Sequence, residues 1–241
     1  MSDILLSLRD IHTDIGQYHI LHGVDLEVPR GQVTMLLGRN GAGKTTTLRT
    51  IMGILPPHRG EITLDGAPVT ALNSALIARQ GVALVPEDMG IFANLTVEEN
   101  IILASLNGPP DRDRLERIFT AFPALRTFWK GRAGTLSGGQ KQMLSVARAM
   151  ITERRLYLID EPSKGLAPAI VSTLAKALRE LKAAGATILM VEQNFRLAKA
   201  LGDHAAVMDN GRVIWAGPMA TLAADPELQS RLMGLSLEDH A

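Results

Sequence analysis

Val33-Thr34-Met35-Leu36-Leu37-Gly38-Arg39-Asn40-Gly41-Ala42-Gly43-Lys44-Thr45 is the stretch on which the fold turns. Residues 33–37 read as a buried strand, residues 38–45 spell G-x-x-x-x-G-K-T, and residues 46–52 continue as a helix. The residue types follow from the chemistry. Glycines Gly38, Gly41 and Gly43 let the backbone N–H groups of this loop, with Arg39, Asn40 and Ala42 between them, turn inward around phosphate oxygens. The helix behind them, with Thr46 in its first turn, aims its positive end at the same place. Lys44 has the length to reach β- and γ-phosphates, and the Thr45 hydroxyl is suited to ligate Mg²⁺. The motif calls for a nucleotide and by itself leaves ATP and GTP both open.

Working outward, residues 156–159 form an apolar strand that ends in Asp160-Glu161-Pro162. Strand alternation sends adjacent side chains to opposite sides, so two neighbouring carboxylates take different jobs. Asp160 fits the Mg²⁺-linked carboxylate of a phosphate-loop enzyme, and Glu161 fits the base that polarises an attacking water. Further strands are expected at residues 4–8, 20–28, 61–64, 81–86, 187–191 and 205–208. Turn signals lie at Gly16, Pro29-Arg30-Gly31 and Asp65-Gly66. Short apolar strands separated by helical stretches predict a parallel sheet covered on both faces. Between about residues 92 and 150 the pattern turns helical, which predicts a helical lobe inserted into the α/β core. Residues 226–241 read as a short helix with a polar end, and the whole of 1–241 as one unit.

The chain has 241 residues, 46% hydrophobic, enough for a sizeable core in one large or two intimate lobes. Lys plus Arg and Asp plus Glu both number 25, so neither a basic excess nor a basic stripe points to nucleic acid. Absence of cysteine excludes disulfides and thiolate metal sites. No secretion signal is visible at the N-terminus, and the longest apolar runs are far short of a membrane span. Any membrane role is therefore expected through docking onto another protein.

Leu136-Ser137-Gly138-Gly139-Gln140 precedes an amphipathic helix and reads as a capping box, Ser137 at the N-cap and Gln140 three later. Two glycines in that opening turn leave backbone N–H groups bare, which suits an anion arriving from outside. This pentapeptide, with the phosphate loop and acidic pair in the same order and spacing, resembles the signature of the ATP-binding cassette (ABC) family. The resemblance covers nearly the whole chain, from Leu21-His22-Gly23 to Gly211-Arg212-Val213. It implies ATP and Mg²⁺ as cofactors and a P-loop NTPase core of the ABC ATPase type with an antiparallel β arm and an inserted α-helical lobe. It also implies a head-to-tail dimer with a second ABC ATPase subunit. The signature of one subunit then completes the ATP site of the other.

Several positions depart from the usual family pattern. Glu87 stands where most relatives carry Gln, Gln193 where they carry His, and Ala167 where they carry Asp. The adenine-stacking aromatic is replaced by Ile15. Tyr18 is nearby but, three residues on, is expected on the opposite face of a regular strand. For Tyr18, a surface hairpin tyrosine and an adenine stack stand equal, with apolar contact from Ile15 as the other source of base contact. Glu87 remains able to hold a magnesium-bound water. Gln193 remains able to hydrogen-bond a phosphate oxygen, though unlike His it cannot act as a charged acid.

Together Val85-Pro86-Glu87, Thr96-Val97-Glu98-Glu99-Asn100, Ser163-Lys164-Gly165-Leu166-Ala167-Pro168 and Val191-Glu192-Gln193-Asn194 are similar to ATPase subunits of high-affinity branched-chain amino acid uptake transporters. That resemblance implies transmembrane permease partners, a periplasmic solute-binding protein acting indirectly, and a place on the cytoplasmic face of a bacterial inner membrane. Urea or amide uptake, lipid or polysaccharide export, and a non-transport ABC ATPase are the alternatives. Phe92 is the preferred docking residue for a membrane subunit. Phe119, Phe122, Phe128 and Trp129 are read as core ahead of a docking groove. The six histidines show no ligand spacing, so no transition-metal site is expected.

Overall fold

The computed structural model describes residues 3–105 and 108–234. In chain order the elements begin β1 (Ile4–Ile15), β2 (Tyr18–Pro29), β3 (Val33–Gly38), α1 (Lys44–Ile51), β4 (Arg59–Leu64), β5 (Ala67–Pro68), α2 (Ser74–Arg79) and β6 (Val82–Val85). Then come α3 (Val97–Ala104), α4 (Arg112–Ala121), α5 (Pro123–Thr127), α6 (Gly138–Met150), β7 (Leu156–Asp160) and α7 (Pro168–Ala183). The chain closes with β8 (Thr187–Val191), α8 (Phe195–Leu201), β9 (His204–Asp209), β10 (Arg212–Pro218), α9 (Met219–Ala224) and α10 (Pro226–Met233).

A six-stranded sheet has the order β10-β9-β3-β8-β7-β6, with every pair parallel except the β9–β10 edge. Every residue of β7 and β8 is buried, as expected for strands covered on both faces. The antiparallel arm is a second sheet of order β2-β1-β4-β5. The expected strands are therefore present, and β1 and β2 are longer than their apolar runs. β10 was legible only as a turn at Gly211-Arg212-Val213. Its residues alternate between exposed and half-buried, so it lacks the continuous apolar run of its neighbours.

One core cluster joins the central sheet to the helical lobe. Phe122 and Leu125 are fully buried in it together with Ile101 and Leu144. The core reading of the aromatic group holds for Phe119 and Phe122. Trp129 packs edge-on against Phe119 with ring centroids 5.0 Å apart, while Phe128 is exposed. Buried Asn100 ties the loop at Phe92 to α3: it accepts from Phe92 N and donates to Phe92 O and Thr96 O. The second cluster fills the space between the arm and α1, with Leu21, Leu48, Ile51 and Ile62. The helix expected in the tail is α10, and residues 235–241 lie outside the described residues.

Candidate nucleotide site

β3, β6, β7 and β8 run parallel and end on the same side, so the loops that follow them share one rim. The loop after β3 is the glycine-rich one. Gly38 has φ +139°, and a Cβ there would sit 2.2 Å from Met208 O, so no other residue fits against β9. Gly43 caps α1 in the left-handed region and offers no side-chain acceptor to the first-turn N–H groups. Lys44 is buried and its Nζ donates to Gly38 O at 2.8 Å and Arg39 O at 3.0 Å, so it spans the loop. Burial pushes its pKa down, with the charges of Glu161 and Asp160 opposing.

Thr45 Oγ1 donates to Asp160 Oδ1 at 3.2 Å, bringing two hard oxygen donors to one spot beside the loop. Burial raises the Asp160 pKa, and the Thr45 hydroxyl works against that rise. Glu161, the next residue, has φ +45°, and its N–H donates to Val191 O at 3.0 Å. The chain leaves the strand there, and Glu161 points to a different partner: Gln193 Nε2 donates to its Oε1 at 2.6 Å. The same Nε2 donates to Asn40 Oδ1 at 2.7 Å, using both amide hydrogens. Lys164 Nζ is 3.4 Å from Glu161 Oε2 and 2.5 Å from Glu87 Oε1. A continuous link Asn40–Gln193–Glu161–Lys164–Glu87 thus crosses the loops after β3, β8, β7 and β6.

Two members of this site carry no role in the motif reading. Lys164 joins the carboxylates of Glu87 and Glu161. Glu192, 2% exposed, accepts from Ser163 N and Oγ, Gln193 N and Asn194 N, at 3.0 to 3.1 Å. It staples the loop after β8 to the loop after β7 and so sets Gln193 against Glu161. Burial raises its pKa foremost, opposed by those four hydrogen bonds. A charge directly after the apolar run of β8 is the signal that marks it.

Ser137, Gly138, Gly139 and Gln140 open α6, which packs on α3, α4, α5 and β6. The capping box is present, with Gln140 N donating to Ser137 Oγ and Ser137 N to Gln140 Oε1. A Cβ on Gly138 would meet nothing within 4 Å, whereas Gly139 lies against Ile170 of α7. Ala167 is the N-cap of α7 and makes no side-chain cap.

Two expectations are corrected. Ile15 and Tyr18 are directly paired across a two-residue turn and so lie on one face, both exposed; alternation along a strand does not carry through a turn. The histidines are not scattered, since four of the six gather on the arm: His12, His19, His22 and His58. Strand pairing brings together residues that spacing in sequence keeps apart.

Residues 21–164 match the family model described as ABC transporter. The chain is 37% identical over 232 residues to the high-affinity branched-chain amino acid transport ATP-binding protein BraG of Pseudomonas aeruginosa, covering 95% of this chain and 100% of that one. It is 36% identical over 236 residues to the probable branched-chain amino acid transport ATP-binding protein LivF of Archaeoglobus fulgidus, covering 95% and 99%. Among solved structures it is similar to the ADP conformation of an ATP-binding cassette of an ABC transporter, with a TM-score of 0.77 and 27% identity over 93% of this chain and 96% of that one.

Proposed function

The chain belongs to the ABC transporter family, and from that premise we propose how its residues hydrolyse ATP and what the hydrolysis drives. It is an ATP-binding subunit whose ATP hydrolysis is coupled to transport. The loop N–H groups of residues 39–46 bind the phosphates, and Lys44 leaves its loop carbonyls to meet the β- and γ-oxygens. The paired Thr45 hydroxyl and Asp160 carboxylate, two hard oxygens 3.2 Å apart, fit Mg²⁺, and Glu87 would hold the ion through a water. Mg²⁺ bound there would neutralise charge on the phosphate oxygens.

Glu161 takes the proton of the water that attacks the γ-phosphorus, as the bond to the β-phosphate oxygen breaks. The observation that carries this reading is the Asn40–Gln193–Glu161 bridge, which holds the carboxylate against the phosphate loop. Gln193 gives up Asn40 when a γ-phosphate oxygen takes its place, so the base stays aimed at the nucleotide.

A second cassette completes the site with its own Ser137–Gln140 signature, as membership of the family implies. The open side of Gly138 leaves room for a phosphate presented by the partner. Among the described residues no helix is long and apolar enough to cross a membrane, so movement of cargo falls to permease subunits. Phe92, 49% exposed with the Arg148 guanidinium 5.0 Å over its ring, is the docking contact. The cargo is branched-chain or related amino acids, supplied by a periplasmic solute-binding protein. The two relatives named above support this part.

ATP turnover and ATP-dependent dimerisation of the purified chain, beside Glu161→Gln, test the motor. Wild-type turnover with a stable ATP dimer in the variant is expected. Turnover retained by Glu161→Gln would remove the base assignment, and a monomeric idle wild type would remove the homodimer. Uptake of labelled leucine in cells lacking the gene tests the cargo.

A further inference from the structure

We propose that His12, His19 and His58 form a binding site for one divalent transition-metal ion of the zinc class on the outer face of the β arm. The three come from separate segments: β1, β2 and the residue before β4. His58 is held in place by its backbone, whose N–H donates to His12 O at 3.0 Å. β1 is bulged here, with Asp10 at φ +49° and register shifts on either side of Ile11. Such a bulge re-aims the side chain that follows it. One nitrogen from each ring lies within 4.8 Å of the others.

Two geometric facts favour a metal over a chance meeting of imidazoles. His12 Nδ1 and His19 Nε2 are hydrogen-bonded at 3.2 Å, with the proton of His19 held where an ion would replace it. With metal–nitrogen bonds of about 2.0–2.1 Å, two ligands of a tetrahedral ion sit about 3.3 Å apart, so this pair already spans one edge. His58 is exposed and closes the remaining distance by side-chain rotation. The second fact is the outer shell. His12 Nε2 donates to Asp10 Oδ1 at 3.0 Å, and His58 Nδ1 lies 3.0 Å from Asp14 Oδ2 as an ion-pair contact. Asp10 takes the N–H of His12 and leaves Nδ1 as a lone pair, and Asp14 stands beside His58 in position to do the same, the arrangement that fixes metal-ligating tautomers. Arg59 balances Asp10 from its far side at 2.7 Å.

The site lies on the other side of β1 from the phosphate-loop helix. Thr13, next to His12, is fully buried and accepts from Thr50 Oγ1 of α1 at 3.2 Å, so the phosphate-loop helix lies on the other face of β1. His22 lies tilted against His19, with centroids 4.1 Å apart, and is not among the three histidines whose nitrogens converge. Three imidazoles leave one tetrahedral place for water. A bound ion would clasp β1, β2 and the start of β4 together at the hairpin that carries Ile15 and Tyr18.

The test uses the full chain, nucleotide-free and stripped with chelator, titrated calorimetrically with Zn²⁺ and spectroscopically with Co²⁺. One ion per chain and a tetrahedral cobalt spectrum are expected. Asp14→Asn should weaken binding about 10–100-fold, the range for loss of an outer-shell carboxylate. The double variant His19→Ala/His58→Ala, at exposed positions, should lose the stoichiometric site while keeping ATP turnover, and Zn²⁺ should raise Tm in wild type alone. No saturable binding, or equal binding in wild type and double variant, overturns the proposal. Should the double variant fail to fold, wild type and Asp14→Asn decide, and a non-tetrahedral cobalt spectrum with unchanged affinity overturns it.

Discussion

Replacing Gln193 by Ala removes one amide that serves two acceptors. In the structure its Nε2 bridges Asn40 Oδ1 at 2.7 Å and Glu161 Oε1 at 2.6 Å, and among the described residues nothing else donates to that Glu161 oxygen. A hydrogen bond to a charged group is worth about 1.5–3 kcal/mol. If that stabilisation is needed to hold Glu161 on the attacking water, each 1.36 kcal/mol lost slows turnover about tenfold, so kcat should fall roughly 10–100-fold. Nucleotide binding rests mainly on the loop N–H groups and Lys44, with Gln193 adding one γ-phosphate contact, so KM should rise far less than kcat falls, the pattern of an interaction used chiefly in the transition state. Steady-state phosphate release over a range of ATP concentrations separates the two. Adding Glu161→Gln gives the coupling: the double variant should be no slower than Glu161→Gln alone, because the two side chains act as one unit. A kcat within threefold of wild type would refute the reasoning, and so would fully additive losses.

Gly38→Ala places a Cβ 2.2 Å from the Met208 carbonyl at φ +139°, so backbone must move. Loss of nucleotide binding in a fluorescent-ATP titration is expected. Gly66→Ala, equally left-handed but with open space, should cost only about 1–2 kcal/mol in urea unfolding. Phe122→Ala empties a fully buried position between sheet and lobe and should cost about 3–5 kcal/mol, read from the urea midpoint at constant slope. Glu192 has its folded pKa raised above 4.5. Between 4.5 and the folded value the native state therefore holds a proton that the unfolded chain has lost, and stability falls as pH rises through that window. Glu192→Gln removes this dependence, so wild type minus variant stability should decline from pH 4.5 upward. A flat or rising difference would contradict the burial argument.

The phosphate loop, the acidic pair and the signature helix were legible in residue order because each is a local device. A strand, a glycine turn and a helix start need only neighbours within a few positions. The parallel sheet was legible for a related reason: strands buried on both faces, such as β7 and β8, must be apolar throughout. β10 escaped because an edge strand keeps one side in water and shows no such run. Tertiary structure alone decided which side chains meet across loops. Nothing in the spacing of Asn40, Glu87, Glu161, Lys164 and Gln193 says that five residues from four loops form one chain of contacts. The common rim of parallel strands brings them there. Antiparallel pairing in the arm placed Tyr18 beside Ile15 and gathered His12, His19 and His58. Strand pairing is set by the burial of whole faces, so the contacts it creates between distant polar residues leave no periodic trace along the chain.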